Sequence, residues 1–263
     1  MSTEFVSTDI DDRGVATVTL DNPDKHNAFD DTIISQLTDA FSTVDADQHA
    51  RVMVLASRGR NFSAGGDLNW MKRMAAYTHE QNLQDSRALA EMLRVLNFMS
   101  RPTIARVQGV AFGGAVGLVS CCDMAVASAT ATFSLSEVKI GLMPATISPY
   151  VVAAIGARSA RRYFTTAERF SAEQAQAMGL VSELVADDSE LEAAVDALVS
   201  AILGNSPAAV AASKQLIFDV ANQPVEAELI EMTCQRIADI RASAEGQEGL
   251  TAFLEKRKPS WIQ

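Results

Sequence analysis

Two short segments of the chain concentrate backbone freedom in places where peptide N–H groups could hold an anionic oxygen. The first, Asn61-Phe62-Ser63-Ala64-Gly65-Gly66-Asp67-Leu68, directly follows the apolar run Arg51 to Ala56. Adjacent glycines let the backbone come close to a ligand, and Asp67 can start a helix whose first amides point back toward the loop. The second, Gln108-Gly109-Val110-Ala111-Phe112-Gly113-Gly114-Ala115-Val116-Gly117, again stands between a strand-like and a helix-like run. Each alone reads equally as plain structure: a tight turn with a helix cap in the first case, a small-residue helix packed on a sheet in the second. The second does not have the spacing of a dinucleotide fingerprint or a phosphate-binding P-loop. Taken as a pair, they offer one amide each to a single carbonyl oxygen, which stabilises an enolate without a charged side chain.

Other chemistry is sparsely supplied. The three histidines, His26, His49 and His79, sit in polar or turn-like stretches, and no GxSxG elbow occurs, so a serine hydrolase is not indicated. Histidines and cysteines lack recurrent ligand spacing, and no metal site is predicted. Cys121, Cys122 and Cys234 are odd in number with two adjacent, which is no disulfide framework and suits a reducing, cytoplasmic setting. A net charge of −11 with 22 dispersed Lys and Arg residues argues against nucleic acid as a partner. Met1 to Asp12 resembles no signal or transit peptide, and Ile104 to Ala131 is broken by Arg106, Gln108, glycines and Asp123, so no membrane partner is expected.

The elements that must position the two segments alternate in period. At 263 residues and 48 % hydrophobic composition, the chain can bury one sizeable core. Val15 to Leu20 reads as a strand running into the turn Asp21-Asn22-Pro23-Asp24. Ile33, Leu37, Phe41 and Val44 have helical spacing behind Asp30 and Asp31, and Leu83 to Met99 is a second such stretch. Arg51 to Ala56, Thr103 to Val107 and Met124 to Ser128 read as buried strands, with a glycine-bearing helix from Gly113 to Cys122. This alternation predicts an α/β fold with parallel strand pairs. Beyond Ser171 a short strand is expected near Leu180 to Val185. Helices follow over Glu190 to Leu203, Pro207 to Val220, Val225 to Ile240 and Glu245 to Phe253. The amino-acid sequence shows no internal repeat.

Seven motifs in order then carry a resemblance. They are Asn22-Pro23-Asp24-Lys25-His26-Asn27-Ala28, FSAGGDL (Phe62 to Leu68), VQGVAFGGAVGL (Val107 to Leu118), CDMAVAS (Cys122 to Ser128), FSLSEVKIGLMP (Phe133 to Pro144), AQAMGLV (Ala175 to Val181) and FLEKRKPSW (Phe253 to Trp261). Through most of its length the chain resembles the enoyl-CoA hydratase/isomerase (crotonase) family. The resemblance implies an α/β fold: a crotonase-like ββα spiral core over residues 1–200, and a helical C-terminal region over 201–263 that covers the pocket and builds homotrimers or hexamers. It implies an acyl-CoA thioester as partner and substrate, with coenzyme A part of that substrate and no separate cofactor. The thioester carbonyl would meet the amides of Gly66 and Gly114. Lys25, Ala28, Arg58, Ala64, Asp67 and Leu68 fall at the positions expected to bind CoA.

The acid/base residues depart from the family's two-glutamate pattern. The first glutamate position is Gly117; the second is matched by Glu137. If Glu137 lies in an apolar pocket, desolvation raises its pKa and suits it to proton exchange. A single glutamate fits a hydratase, because a syn addition can use two oxygens of one carboxyl group, and it fits an isomerase that moves a proton from C2 to C4. A non-catalytic acyl-CoA-binding protein is the third reading. Gly141 to Val152, with Phe62 to Met74 and Ala111 to Asp123, resembles the bacterial methylglutaconyl-CoA hydratase branch of leucine degradation or its isoprenoid-degrading relatives, and the first implies a branched substrate with a distal carboxylate. Trp70, Arg73, Gly117, Met143, Ser148 and Tyr150 are the expected acyl-pocket residues, with Lys72 and Thr146 further candidates for that carboxylate.

Overall fold

The computed structural model describes residues 4–262. Residues 1–3 of the N-terminal stretch, and with residue 263 the outer ends of the two divisions above, lie outside the described residues. The chain opens with an antiparallel pair, β1 (Val6–Ile10) and β2 (Val15–Leu20), followed by helix α1 (Asp31–Ala46). Asp30 caps α1, accepting from the Thr32 and Ile33 amides. Strand β3 (Val52–Ser57) then pairs parallel with β2. All six residues of β3 are buried, which accounts for its unbroken apolar run.

After the first glycine segment come α2 (Leu68–Met74) and α3 (His79–Asn97). Next follow β4 (Thr103–Val107), β5 (Val110–Phe112) and α4 (Gly114–Cys121), then β6 (Met124–Ser128), β7 (Thr132–Ser134) and α5 (Ser148–Thr166). Strand β8 (Arg169–Ser171), α6 (Ala172–Met178), β9 (Glu183–Val185) and α7 (Leu191–Leu203) complete the core, and α8 (Pro207–Val220), α9 (Ala227–Ala242) and α10 (Ala244–Glu255) form the tail.

The strands make a six-stranded sheet, ordered β1-β2-β3-β4-β6-β9, and a three-stranded one, β5-β7-β8. From β2 onward the large sheet is parallel throughout. The path is a repeat that the amino-acid sequence does not show. A strand in the large sheet, a shorter one in the small sheet and a helix follow each other twice, as β4-β5-α4 and β6-β7-α5. An isolated parallel bridge between Ser63 and Ala111 adds the segment after β3 to the small sheet. One face of the large sheet buries Phe29, Phe41, Leu93, Val116 and their neighbours; the other packs Val52, Val54, Ile104 and Val126 against Leu191, Val195 and Val199 of α7.

Expected boundaries shift by a few residues, and β9 is shorter than the run Leu180 to Val185 because Gly179 to Ser182 make the turn after α6. Strands β5, β7 and β8, of three residues each, and helix α6 were not expected. The tail meets the core through α8. Its Lys214 Nζ donates to Asp123 at 2.7 Å and to the Arg101 carbonyl at 3.0 Å, and Phe218 packs on Phe98 with ring centroids 5.0 Å apart. Helix α9 buries no residue, and Val225, Ile230, Ile237, Phe253 and Leu254 are exposed along the tail. Among the described residues no single helix is long and apolar enough to cross a membrane.

Candidate active site

The first glycine segment is tied down from the NPDKHNA turn. His26 and Asn27 both adopt left-handed backbone conformations, φ 54° and 53°. This turns the fully buried Asn27 side chain inward, where its Nδ2 donates to the carbonyls of Arg58 at 2.8 Å and Asn61 at 2.9 Å and its Oδ1 accepts from the Asn22 amide. Ser63 Oγ donates to the Asn27 carbonyl and accepts from the Gly65 amide. Phe29 and Gly66 then pair as an isolated parallel bridge, in which the Phe29 amide donates to the Gly65 carbonyl at 2.9 Å and the Asp67 amide to the Phe29 carbonyl at 3.0 Å. A parallel bridge uses the groups flanking Gly66, so its own N–H faces away from Phe29. Among the described residues nothing accepts that N–H.

Asp67 ends the segment as the cap of α2, accepting from the Asn69 and Trp70 amides and pairing with Lys25 Nζ at 3.1 Å. Burial pushes its carboxyl up, but the Trp70 amide, Lys25 and the Asn69 amide together hold it below the usual carboxylate range.

The second segment lies directly against the first. The Ser63 amide donates to the Val110 carbonyl at 3.0 Å and the Phe112 amide to the Ser63 carbonyl at 3.1 Å. The contact is so close that a Cβ on Gly65 would stand 2.7 Å from the Phe112 carbonyl oxygen. Gly113, at φ 55° and ψ −122°, makes the turn into α4 and donates its amide to the Ser134 carbonyl at 2.8 Å. Only glycine adopts that conformation cheaply. Gly114 opens the helix, its N–H one of the first-turn donors with no intrahelical partner, and nothing among the described residues accepts it. The Phe29 ring fills the space a side chain there would need: Cζ lies 2.5 Å from the Cβ position. Phe29 therefore touches both segments, through its backbone at Gly66 and through its ring at Gly114. Two free amides on stitched chain segments, one backed by a helix dipole, are donors suited to an oxygen that gains negative charge.

Glu137 begins a short 3-10 turn, Glu137–Ile140, just after β7, and its carbonyl accepts from Gly141 and Leu142. The carboxyl reaches back to the second segment, with Oε1 3.2 Å from where a Cβ on Gly113 would stand. Oε2 is buried and has no hydrogen-bond partner. Burial pushes the carboxyl pKa above the ordinary glutamate value, opposed only by a bond from its own backbone. A carboxyl group with one oxygen unengaged and a raised pKa is equipped to take up and release a proton.

The other expected residues are less uniformly gathered. Ala28, Ala64 and Asp67 belong to the same buried or half-buried knot, and Leu68 is exposed beside it. Lys25 is engaged by Asp67, and Arg58 pairs with Asp21 at 3.2 Å. Trp70 packs under Gly66, two ring carbons 3.5 Å from the Cβ position, and donates its indole N–H to Asp85 at 3.1 Å. Arg73 points to Asp31 and Met143 to solvent; Lys72 is exposed and Thr146 half-buried. Ser148 Oγ donates to the Ala145 carbonyl at 2.7 Å. Tyr150 lines a cleft of about 440 Å³ with Phe98, Cys122 and Phe218, toward the far end of α4 from Gly114. Gly117 meets Ile147, whose Cγ2 is 2.3 Å from the Cβ position.

Sequence reasoning missed Asn27 and Phe29 as organisers of the site. The NPDKHNA motif was their signal, but which of its side chains turns inward depends on two left-handed residues that no pattern displays.

A spiral of ββα turns in which two contacting segments each carry an unpaired glycine amide is the crotonase fold. The chain belongs to the enoyl-CoA hydratase/isomerase family and is an enzyme of it: residues 11–263 match the family's profile, described as Enoyl-CoA hydratase/isomerase. It is 32 % identical over 250 residues to the 2,3-dehydroadipyl-CoA hydratase of Escherichia coli, covering 94 % of each chain. The crystal structure of an enoyl-CoA hydratase from Shewanella pealeana superposes with a TM-score of 0.95 at 44 % identity, over 98 % of this chain and 96 % of that one. An enoyl-CoA hydratase of Mycobacterium smegmatis gives 0.92 at 32 % identity, over 99 % and 100 %.

Proposed function

We propose that this chain adds water to an α,β-unsaturated acyl-CoA thioester. The hydroxyl goes to C3 and a proton to C2, and the thioester enolate between the two steps is held at its oxygen by the Gly66 and Gly114 amides. Glu137 takes the proton from water and returns one to C2, so the enzyme ends unchanged. The observation that carries this reading is the Glu137 carboxyl: partnerless at Oε2, raised in pKa by burial and set against Gly113, next to one of the two free amides. Relatives described as hydratases support water addition over other chemistry.

The acyl group in this reading is 3-methylglutaconyl or a related branched chain from leucine or isoprenoid breakdown. That substrate, like the one the Escherichia coli relative is described by, is a thioester of a dicarboxylic acid. Its distal carboxylate is assigned to Arg73, Lys72 and the hydroxyls of Thr146, Ser148 and Tyr150, and its acyl chain to the surroundings of Trp70, Gly117 and Met143. Arg73 must then exchange its Asp31 partner for the substrate. Coenzyme A arrives as part of the substrate, against Ala28, Ala64, Asp67 and Leu68 with Lys25 and Arg58 at its phosphates, and no separate cofactor enters. The enzyme works in the cytoplasm as a trimer or hexamer, with residues 1–200 as catalytic core and 201–263 as the assembly and covering region. The apolar residues left open on α9 and α10 support that division of labour.

A second reading, double-bond migration between C3 and C2, is favoured by one feature. Gly117 packs on Ile147 and Leu93, so no second carboxylate stands there to orient water. Incubation with 3-methylglutaconyl-CoA, crotonyl-CoA and a 3-enoyl-CoA, following water uptake separately from migration, decides. Fastest hydration of the branched ester is expected. Migration alone establishes the second reading, and no turnover of any ester overturns both.

A further inference from the structure

We infer that Ile147 is a specificity-determining residue that stoppers the acyl end of the site. The inference rests on the acyl-CoA reading above and concerns which acyl groups fit. Gly117 lies four residues beyond Gly113, the residue that caps α4, about 6 Å further along the helix axis. Gly113 meets the Glu137 carboxyl; Gly117 meets Ile147. One helical turn beyond the reactive carboxyl, the available space is thus filled by the Ile147 side chain. A Cβ on residue 117 would stand 2.3 Å from Ile147 Cγ2 and 2.9 Å from its Cβ, with Leu93 Cδ2 at 3.5 Å. Ile147 is 2 % exposed, so it seals the end rather than lining an open channel.

Its backbone is fixed as well. Ile147 directly precedes α5, accepts the Val151 amide at 3.0 Å, and closes the loop that runs from the Glu137 turn. One residue therefore sets two properties together. It limits the length or branching of the acyl group beside Glu137, and it denies room for any side chain at position 117, so that α4 sets no second carboxylate opposite Glu137. Adding or removing a methylene-sized volume in an apolar pocket changes discrimination by about tenfold or more, so the effect is large enough to measure.

The test is kcat/KM over a graded series of straight and branched 2-enoyl-CoA esters, for wild type, Ile147→Val, Ile147→Ala, Gly117→Ala and the Gly117→Ala/Ile147→Ala pair, each checked for folding by its melting temperature. The preference shifts toward larger acyl groups by about tenfold in Ile147→Ala and by less in Ile147→Val, the variant that keeps the fold if alanine does not. Gly117→Ala loses at least tenfold on every ester and recovers in the double variant. An unchanged preference profile in folded Ile147→Val and Ile147→Ala, or a Gly117→Ala enzyme equal to wild type, overturns the assignment. A wild-type enzyme that turns over none of the esters overturns the underlying reading with it, whereas turnover with an unmoved profile overturns the role of Ile147 alone.

Discussion

Glu137 reaches its place by lying against a residue with no side chain: its Oε1 is 3.2 Å from the point a Cβ on Gly113 would occupy. Because Gly113 also holds φ 55° and ψ −122°, alanine there is strained in its backbone and crowds the carboxyl. Gly113→Ala is expected to cost about 1–3 kcal/mol of stability and to lower kcat by more than the destabilisation explains. Chemical denaturation together with kcat at a temperature where the variant is fully folded separates the two effects.

The raised pKa of Glu137 makes a prediction about pH with a definite sign. Burial disfavours the charged form, so the folded protein holds this proton more tightly than the unfolded chain, where glutamate titrates at about 4.3. The residue's contribution to stability is complete below that value and is lost as pH rises through the higher folded pKa. Glu137→Gln should therefore match wild type in melting temperature at low pH and exceed it increasingly above the ordinary glutamate range. A difference that is flat with pH, or that grows on acidification, contradicts the burial of this carboxyl.

Phe29 is wedged at Gly114, and the ring is fully buried. Gly114→Ala sets a methyl group 2.5 Å from Cζ and cannot be absorbed by moving a surface side chain. Overpacking of this kind costs about 1–3 kcal/mol. Trimming the ring in Gly114→Ala/Phe29→Leu should restore part of that loss, which a double-mutant cycle on the denaturation midpoints detects.

Removing Lys214 tests how the tail is fastened. Its Nζ joins Asp123 and the Arg101 carbonyl across 91 and 113 residues of chain. Breaking a buried pair costs about 3–5 kcal/mol, but Asp123 is partly exposed and keeps both the amide and the hydroxyl of Thr103. Lys214→Met should accordingly cost less than that range. Hydrogen exchange should quicken first in α8, α9 and α10, ahead of the β-sheet.

Legibility in the sequence followed the length and period of each element. The parallel core strands were visible because burial on both faces leaves an unbroken apolar run, as in Val52 to Ser57, and the tail helices because their apolar spacing spans three turns or more. Three-residue strands such as β5 and β7 carry too few residues to show a period, and they are what bring Gly113 to Ser134 and Glu137. The two glycine segments were conspicuous by composition, yet what joins them was not. The ring of Phe29 and the inward side chain of Asn27 come from 30 to 90 residues away and act through the fold. Tyr150 shows the same limit: its nearness in sequence to Glu137 does not reveal that α5 sets it in a cleft with Phe98, Cys122 and Phe218.

The central claim is that the Gly66 and Gly114 amides polarise a thioester carbonyl. Glu137→Gln, which should bind an enoyl-CoA without turning it over, allows a direct reading by infrared difference spectroscopy of a substrate labelled with carbon-13 at the carbonyl. The account predicts that the labelled band falls to lower frequency on binding, since two hydrogen bonds draw charge onto the oxygen. A bound ester whose carbonyl band stays at its position in water, or rises, contradicts it.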